Sequence, residues 1–231
     1  MAKLFCMLRA VVINLVLYFS ALSAIRAQPC TLETQMKNLG LINLQTVISG
    51  IQVDLRYSGK NNFLGKDIYG CLSTAYAQPM MAEKLKKAAG FLREKQPAYR
   101  LLVYDAARPL ACQWALWNTI NLPESRKHIY VANPRKGSIH NYGCAIDLSI
   151  ADGSGKEIDM GTGFDFFGDL AQPRCESRLL KEGKLSKAQV ANRKLLRECM
   201  LKAGFTGTTS EWWHFNSTSL GKAKARYKII P

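Results

Sequence analysis

Histidine is scarce in this chain, and one common cysteine motif is missing. The 231 residues contain three histidines, and the seven cysteines form no Cys-x-x-Cys pair. The lack of such a pair argues against a cysteine zinc ribbon or a thioredoxin-like redox site. No internal repeat or low-complexity segment occurs, and the length predicts one domain after processing.

Acidic residues are few relative to basic ones. Asp and Glu number 17 against 32 Lys and Arg, which gives a formal charge of +15. A basic protein can attract anionic cell-wall polymers, membrane surfaces or nucleic acid. The basic residues are spread along predicted helices instead of clustering, which is typical of solvated helix faces. No nucleic-acid partner is expected, because the chain has the features of an exported protein.

The chain also lacks long apolar runs, and its longest apolar segment is typical of a secretory signal peptide. Lys3 and Arg9 precede a mainly apolar segment over 10–24, which is too short for a membrane span. We predict a signal peptide over 1–27, with cleavage after Ala27 or, alternatively, Ala24. The mature domain is then 28–231, exported to the periplasm or cell envelope without a stable membrane anchor. An uncleaved N-terminal anchor is the alternative. Cleavage lowers the formal charge to +12.

Six cysteines remain once the leader is removed. An even number in an exported chain indicates disulfide bonds. Six cysteines allow 15 full pairings, and the sequence does not choose among them. They are Cys30, Cys71, Cys112, Cys144, Cys175 and Cys199.

Two of the three histidines lie in stretches with the chemistry of a metal site. His140 is followed by Asp147 at the start of an apolar run, and His214 stands three residues after Glu211. Two imidazoles and a carboxylate can hold a catalytic zinc ion and leave a fourth position for water. A free Glu nearby would serve as general base. The remaining histidine, His128, has no such surroundings and is interpreted as ordinary.

The spacing between His140 and Asp147 requires a bend. Residues seven apart in a straight strand point to opposite faces. Gly143 is the residue between them that can adopt an unusual backbone conformation. Beyond that bend, Gly143, Ala145 and Asp147 would share one face, with space for a metal and a substrate.

These two stretches together resemble the zinc D-alanyl-D-alanine dipeptidases of the VanX-like type. The first has the pattern Ser-x-His-x-x-Gly-x-Ala-x-Asp over 138–147, and the second is Glu-Trp-Trp-His over 211–214. Relatives that trim longer peptidoglycan stems usually have Pro at the first Trp, so Trp212 favours the dipeptidase branch. The resemblance implies an α+β fold in which an antiparallel sheet carries the zinc ligands, flanked by helices.

The resemblance also implies a role for each matching residue. One Zn2+ per chain would be bound by His140, Asp147 and His214. Glu211 would be the general base and then the acid, and Arg108 would stabilise the negative oxygen of the tetrahedral intermediate. The substrate-binding positions are Ser138, Asp165 and Tyr57, of which Asp165 would hold the free amino group.

Several of these residues have ordinary structural alternatives. Arg108 could simply pair with Asp105, and Tyr57 could be a packing residue at a strand end. An Asp in a Gly-rich loop, such as Asp165, is often a turn residue. Cys144 lies inside the first motif, but a buried or disulfide-bonded thiol is expected there instead of a ligand.

Hydrophobic periodicity predicts the elements around the site. A half-buried strand over 47–56 shows period two, and a helix over 80–95 has an apolar stripe. A short buried strand over 100–104 leads through Arg108 into a helix that starts at Pro109. A capping box at Ser186 opens a helix that ends before Gly204.

The sequence therefore predicts an exported zinc dipeptidase that hydrolyses D-Ala-D-Ala in cell-wall dipeptide turnover. Two alternatives remain at this point. One is a D,D-carboxypeptidase or endopeptidase that acts on longer peptidoglycan stem peptides. The other is a non-catalytic, basic envelope-binding domain that kept the fold. The oligomeric state is left open.

Overall fold

A mixed five-stranded sheet forms the centre of the protein. The structure is a computed structural model that describes residues 30–128 and 130–231; the predicted signal peptide lies outside these residues. The strands of the protein are β1 Ile42–Asn43, β2 Gln52–Val53, β3 Tyr76–Ala77, β4 Arg100–Asp105, β5 Ala145–Ala151, β6 Thr206–Gly207 and β7 His214–Asn216. The strand order in the five-stranded sheet is β2-β4-β5-β7-β6, with β2 parallel to β4 and the other neighbours antiparallel. A separate two-stranded sheet pairs β1 with β3.

Helices surround this sheet, and two of them form much of the core. Helix α3 (Pro79–Lys95) packs against β4 and helix α7 (Lys187–Lys202), and α7 also packs against β6. The apolar stripe of α3 is fully buried at Met81, Leu85, Ala88 and Leu92. The α-helices are α1 Thr31–Asn38, α2 Leu44–Val47, α3 Pro79–Lys95, α4 Leu110–Thr119, α5 Glu124–Lys127, α6 Glu176–Lys181, α7 Lys187–Lys202 and α8 Leu220–Arg226. Short 3-10 turns occupy Arg56–Ser58, Ile139–Tyr142, Asp169–Ala171 and Pro173–Cys175.

β5 is the central strand and is buried along its whole length. It is hydrogen-bonded to β4 on one side and β7 on the other, so polar side chains on it must find partners inside the protein. The pairing with β4 shifts register between Val103 and Asp105, after which Asp105 lies opposite Asp147. Such irregularities re-aim side chains next to functional sites. Here the shift brings two carboxylates together at the end of the strand pair.

The predictions for the long elements are confirmed. The helix predicted over 80–95 is α3, and the strand predicted over 100–104 is β4. The capping box at the start of α7 is present, since Ser186 Oγ accepts from the Gln189 amide at 3.1 Å and Gln189 Oε1 accepts from the Ser186 amide at 2.8 Å. Helix α4 begins one residue after Pro109, which is its N-cap.

Three predictions need correction. The strand over 47–56 is reduced to β2, because Val47 ends helix α2 and Arg56 begins a 3-10 turn. The sheet is not wholly antiparallel, because β2 runs parallel to β4. The third correction concerns His140, which lies in a 3-10 turn before β5, so only Asp147 and His214 are on strands.

The bend predicted at Gly143 is confirmed. Gly143 has φ +64° and ends the turn that carries His140, and β5 begins two residues later. A methyl group at this position would lie 2.8 Å from Leu41 Cδ2. The residue therefore needs both a left-handed backbone and the absence of a side chain.

We expect Gly143→Ala to lower the free energy of unfolding by about 1–3 kcal/mol, from left-handed strain and the clash with Leu41. Urea unfolding followed by circular dichroism measures this. Gly90→Ala is the matched control, because Gly90 lies inside helix α3 with no atom near the added methyl group. That variant should be neutral or more stable by up to about 1 kcal/mol. Equal effects of both substitutions would contradict the assigned role of Gly143.

One disulfide bond is present in the described residues. Cys30 and Cys71 are bonded across a separation of 41 residues, which loop-closure entropy converts into about 4 kcal/mol of stabilisation. Cys112, Cys144, Cys175 and Cys199 carry free thiols. The even cysteine count thus produces one bond and not three. Cys144 is buried, as predicted.

None of the helices in the described ranges combines the length and the apolar character that a membrane crossing requires.

Candidate metal and active site

The three residues predicted to bind metal converge at one point. Asp147 on β5 lies directly opposite His214 on β7, and the turn over 139–142 places His140 beside them. His140 Nε2 is 3.4 Å from Asp147 Oδ2 and 3.2 Å from His214 Nδ1, and His214 Nδ1 is 2.9 Å from Asp147 Oδ1. Elsewhere in the described part of the chain, no three His, Cys, Asp or Glu side chains converge in this way.

The outer hydrogen bonds determine which ring nitrogens face this point. His140 Nδ1 lies 2.8 Å from the Ala106 carbonyl oxygen, and His214 Nε2 lies 2.9 Å from Asn216 Oδ1. Both of these oxygens can only accept, so each of these ring nitrogens carries its proton. His140 Nε2 and His214 Nδ1 therefore turn bare lone pairs toward each other and toward the Asp147 carboxylate. Three mutually close lone-pair donors of this kind need a cation between them.

The donor set fits a zinc ion. Two ligands that each lie roughly 2.0–2.1 Å from a tetrahedral ion are about 3.3 Å apart, close to the separations of 2.9–3.4 Å found here. Two imidazoles and one carboxylate are a common catalytic zinc set. The hydrogen bonds to Ala106 and Asn216 provide the outer support that metal-binding histidines typically have.

Without a metal, a proton takes the cation's place. Burial alone would lower the pKa of His214, but its hydrogen bond to Asp147 and the charge of that carboxylate raise the pKa to about 9. Burial likewise opposes ionisation of Asp147, yet the two imidazoles outweigh burial and hold its pKa well below the usual value. At neutral pH the metal-free site therefore contains an imidazolium–carboxylate pair.

Zinc binding should therefore release a proton from His214 and strengthen with pH. Because the pKa of about 9 means that His214 stays protonated below that pH, the ion must displace a proton there. We expect the apparent affinity to rise about tenfold per pH unit between pH 6 and 8 and to level off above about 9. Calorimetry in two buffers with different ionisation enthalpies measures the released proton. A pH-independent affinity with no proton release would contradict this assignment.

Arg108 is held rigidly beside the metal-ligand set. Its Nε donates to Asp105 Oδ2 at 2.8 Å, its Nη1 donates to Gln113 Oε1 at 2.9 Å, and its Nη2 lies 3.6 Å from Asp147 Oδ2. The pairing with Asp105, considered above as a purely structural alternative, is therefore present. Arg108 also lines the cavity described below, so the same ion pair positions its guanidinium at the site. Asp105 is further held by the hydroxyl of Tyr69.

Glu211 lies near the metal-ligand set without belonging to it. Its Oε2 is 4.0 Å from His214 Nδ1, and its side chain keeps 35% of its exposure. Partial withdrawal from water raises the pKa of the Glu211 carboxyl; the neighbouring histidines oppose this rise and Asp147 reinforces it. A raised pKa and free access to the cavity are the properties of a group that both accepts and returns a proton.

Asp165 and Tyr57 form another part of the cavity lining. The Tyr57 hydroxyl donates to the Asp165 carboxylate at 3.0 and 3.2 Å. Asp165 has φ +59°, a conformation that side-chain-bearing residues other than Asn and Asp rarely adopt. Burial and the nearby Asp147 raise the pKa of Asp165 to about 8, although Arg108 and Tyr57 oppose the shift. A cationic group that binds here would lower the free-energy cost of ionising this buried carboxyl group.

Ser138 has a structural task at this site. Its hydroxyl accepts from the His140 amide at 3.4 Å, and its own amide donates to Asn141 Oδ1 at 2.7 Å. These bonds cap the turn that presents His140. Ser138 also lines the cavity, so the prediction that it contacts substrate stays a prediction.

One cavity, of about 520 Å³ including its open mouth, contains every residue predicted for the site. Its lining includes Tyr57, Arg108, Ser138, His140, Asp147, Asp165, Glu211 and His214. Trp213 also lines it, whereas Trp212 is buried behind and donates its indole N–H to Thr162 Oγ1 at 2.8 Å. Neither Cys144 nor His128 takes part.

Sequence reasoning missed several supporting residues. Asn216 orients His214, Gln113 joins the already expected Asp105 in holding Arg108, and Thr162 ties Trp212 to the loop that carries Asp165. Only Asn216 had a usable signal, because residues two apart on a strand share a face. The others meet their partners through tertiary packing alone.

An α+β domain with two imidazoles and a carboxylate around one point, and a free glutamate beside them, has the site of a metallopeptidase. A family model described as D-ala-D-ala dipeptidase matches residues 37–228. This chain therefore belongs to the D-Ala-D-Ala dipeptidase family of metallopeptidases.

Relatives with the same description come from distant bacteria. The D-alanyl-D-alanine dipeptidase of Escherichia coli is 33% identical over 178 residues, which cover 76% of this chain and 83% of the relative. That of Enterococcus faecium is 28% identical, with 77% of this chain and 91% of the relative covered. That of Enterococcus faecalis is 26% identical, with 76% and 90% covered.

Proposed function

We propose that this protein hydrolyses D-alanyl-D-alanine to two D-alanines with one bound zinc ion, in the turnover of cell-wall dipeptides outside the cytoplasm. The observation that carries the proposal is the single cavity that combines a His–Asp–His donor set, Glu211, Arg108 and the buried carboxylate of Asp165. These groups supply what hydrolysis of a small zwitterionic peptide requires.

His140 Nε2, Asp147 and His214 Nδ1 would hold the ion. When bound there, zinc supplies Lewis-acid polarisation of the scissile carbonyl and lowers the pKa of a water molecule toward neutrality. The protein keeps the donor atoms in place through Ala106 and Asn216. The zinc ion would take the place of the proton on His214 Nδ1, so loss of that proton makes the site able to bind the metal.

Glu211 moves the protons. Its carboxylate accepts the proton of the attacking water and then delivers it to the amine of the leaving residue. The raised pKa suits both transfers, because the group must hold a proton between them. Its distance of 4.0 Å from His214 Nδ1 keeps it beside the donor set and free to reach the substrate.

Arg108 stabilises the negative oxygen that forms when the carbonyl is attacked. Asp105 and Gln113 fix the guanidinium before substrate arrives, so it needs no rearrangement during the reaction. Nη2 also lies 3.6 Å from Asp147, which keeps the positive charge directed at the reacting centre.

Asp165 recognises the free amino group of the dipeptide. A buried carboxylate held by Tyr57 forms a charge-assisted pair with an ammonium group and thereby lowers its own cost of burial. Ser138 is placed on another part of the wall, where it would help hold the second end of the substrate. A site that binds both free ends of the substrate favours a dipeptide over longer peptides.

Asp165→Asn should raise KM for D-Ala-D-Ala by roughly 10- to 100-fold, since a hydrogen bond to a charged group contributes about 1.5–3 kcal/mol. kcat should change much less, because Asp165 is assigned to binding of the amino group and takes no part in the proton transfers. Asp169→Asn, which alters an exposed carboxylate paired with Arg178, is the control and should leave KM unchanged. A fall in kcat at constant KM would assign Asp165 a different role.

Two observations support export. The Cys30–Cys71 bond is of a kind that persists in oxidising compartments, and the chain is strongly basic, as suits an anionic envelope. An exported enzyme would act on dipeptide released from the cell wall, and a nutritional role therefore fits better than an antibiotic-resistance role, which requires action where the dipeptide is made. Fractionation of the host cell, followed by detection of the processed chain, tests the location.

The deciding experiment is D-alanine release from D-Ala-D-Ala by the purified protein, with a chelator and with zinc added back. We expect release that the chelator abolishes and zinc restores. Activity on pentapeptide stems with none on free dipeptide would favour a longer-stem peptidase. A folded protein with neither bound zinc nor activity would favour an envelope-binding domain.

A further inference from the structure

Three aromatic side chains from different loops meet at the edge of the catalytic cavity. Phe167 packs edge-to-face on Phe63 and on Tyr130, each with ring centroids 5.1 Å apart. All three line the cavity. Phe167 is nevertheless 44% exposed and Tyr130 is 36% exposed, although large apolar side chains are mostly buried in the described residues. Exposed aromatic groups at a cavity edge mark a contact surface for ligands.

A second cavity lies on the other side of this aromatic group. It shares Tyr130, Phe167 and Glu211 with the catalytic cavity and adds Phe166, Gln172 and Ser210. The ring of Phe167, packed on Tyr130, is therefore a wall between two spaces. Glu211 contacts both of them.

The position of Glu211 indicates which part of a substrate faces this wall. Asp165 and Tyr57 hold the amino end of the dipeptide, and Glu211 gives its proton to the amine of the leaving, C-terminal residue. The second cavity meets the catalytic one at Glu211, so it adjoins the C-terminal residue. Its aromatic lining suits an apolar side chain there.

We propose that Phe167 is a specificity-determining residue, whose ring closes the second cavity to substrate and so restricts the C-terminal residue to a small side chain. This inference rests on the proposed dipeptidase function. Truncating Phe167 joins the two cavities and creates room for a large apolar C-terminal residue. Pocket size of this kind changes relative specificity by roughly 10- to 200-fold.

The neighbouring residue offers a matched control. Phe166 is 42% exposed, nearly the same as Phe167, and lines the second cavity, but it is not part of the catalytic cavity. Phe166→Ala removes the same number of atoms from the same loop without opening the wall. A general loosening of the loop would affect both variants equally.

The test compares kcat/KM for D-Ala-D-Phe and D-Ala-D-Ala in the zinc-loaded wild type, Phe167→Ala and Phe166→Ala. We expect the ratio of the two values to rise at least tenfold in Phe167→Ala and to stay within about twofold in Phe166→Ala. Phe167→Leu, a smaller truncation that preserves apolar packing, should give an intermediate ratio and covers the case in which the alanine variant does not fold.

The outcomes separate this inference from the proposed function. A wild type that hydrolyses D-Ala-D-Ala, with the same ratio in all variants or equal shifts in both alanine variants, overturns the role of Phe167 alone. A wild type inactive on D-Ala-D-Ala, with a Phe167→Ala variant active on D-Ala-D-Phe, overturns the proposed substrate and supports the wall. Inactivity of every variant on both substrates overturns both.

Discussion

Glu211→Gln is expected to lower kcat for D-Ala-D-Ala by about a thousandfold while the bound zinc remains. Glutamine keeps the size of the side chain but can neither accept a proton from water nor return one to the leaving amine. General acid–base catalysis contributes roughly 10²- to 10⁴-fold, and Glu211 is assigned both transfers. Steady-state release of D-alanine measures the loss.

Metal content and KM distinguish this result from indirect effects. Glu211 lies 4.0 Å from His214 Nδ1 and outside the donor set, so zinc stoichiometry should stay at about one per chain. KM should change only a few-fold, because the ends of the substrate are held elsewhere. Ionisation of Glu211, with its raised pKa, sets the acid limb of the pH–rate profile of the wild type. The residual activity of Glu211→Gln should therefore no longer fall on that limb as the pH is lowered.

The control for this substitution is Glu124→Gln, which alters an exposed glutamate paired with Arg135. It should leave kcat unchanged. Retention of more than about a tenth of the wild-type kcat in Glu211→Gln would exclude Glu211 as the essential base, given the size of the expected effect.

The second large effect is expected for His214→Ala, which should abolish stoichiometric zinc binding and with it nearly all activity. Removing His214 Nδ1 leaves two of three protein donors. It also leaves Asp147 buried beside Arg108 and His140 with one hydrogen bond fewer. Catalytic zinc sites use three protein ligands, and two are too few to hold the ion stoichiometrically.

Zinc content after dialysis and the zinc-dependent rise in Tm are the two measurements. A ligand at a thousand times its Kd stabilises the native state by about 4 kcal/mol, so the wild type should show a clear Tm shift. His214→Ala should show almost none. His128→Ala is the histidine control, because His128 is exposed and outside the cavity.

Asn216→Ala provides an intermediate case in the same experiment. It removes only the hydrogen bond that orients His214, and losses of this kind typically weaken metal binding 10- to 100-fold. A series in which the wild type, Asn216→Ala and His214→Ala bind progressively less zinc would agree with the hydrogen-bond arrangement. Full zinc binding by His214→Ala would contradict the donor set.

Local sequence patterns predicted the long elements well and the short ones poorly. Helix α3 carries an apolar stripe, and α7 begins at a capping box and ends shortly before Gly204, so their positions follow from neighbouring residues. β2 contains two residues of the alternating stretch over 47–56, because its partner β4 and the adjoining turns end it early. Pairing with another strand, and not alternation, sets the length of a strand.

The sequence by itself determined the chemistry of this protein. The residue types and their order, from Ser138 through Asp147 to His214, indicated the family and the metal donors, and Gly143 indicated the bend between them. These conclusions depend on residues close together in the chain or on a motif as a whole.

Only the tertiary structure decided how these groups meet. The register of β5 against β7 sets Asp147 opposite His214, and carbonyl oxygens from Ala106 and Asn216 select the nitrogens that face the centre. The role of Phe167 as a wall likewise depends on rings from two other loops. Such contacts join residues that are tens of positions apart, and their geometry arises from packing of the whole domain, which no local pattern encodes.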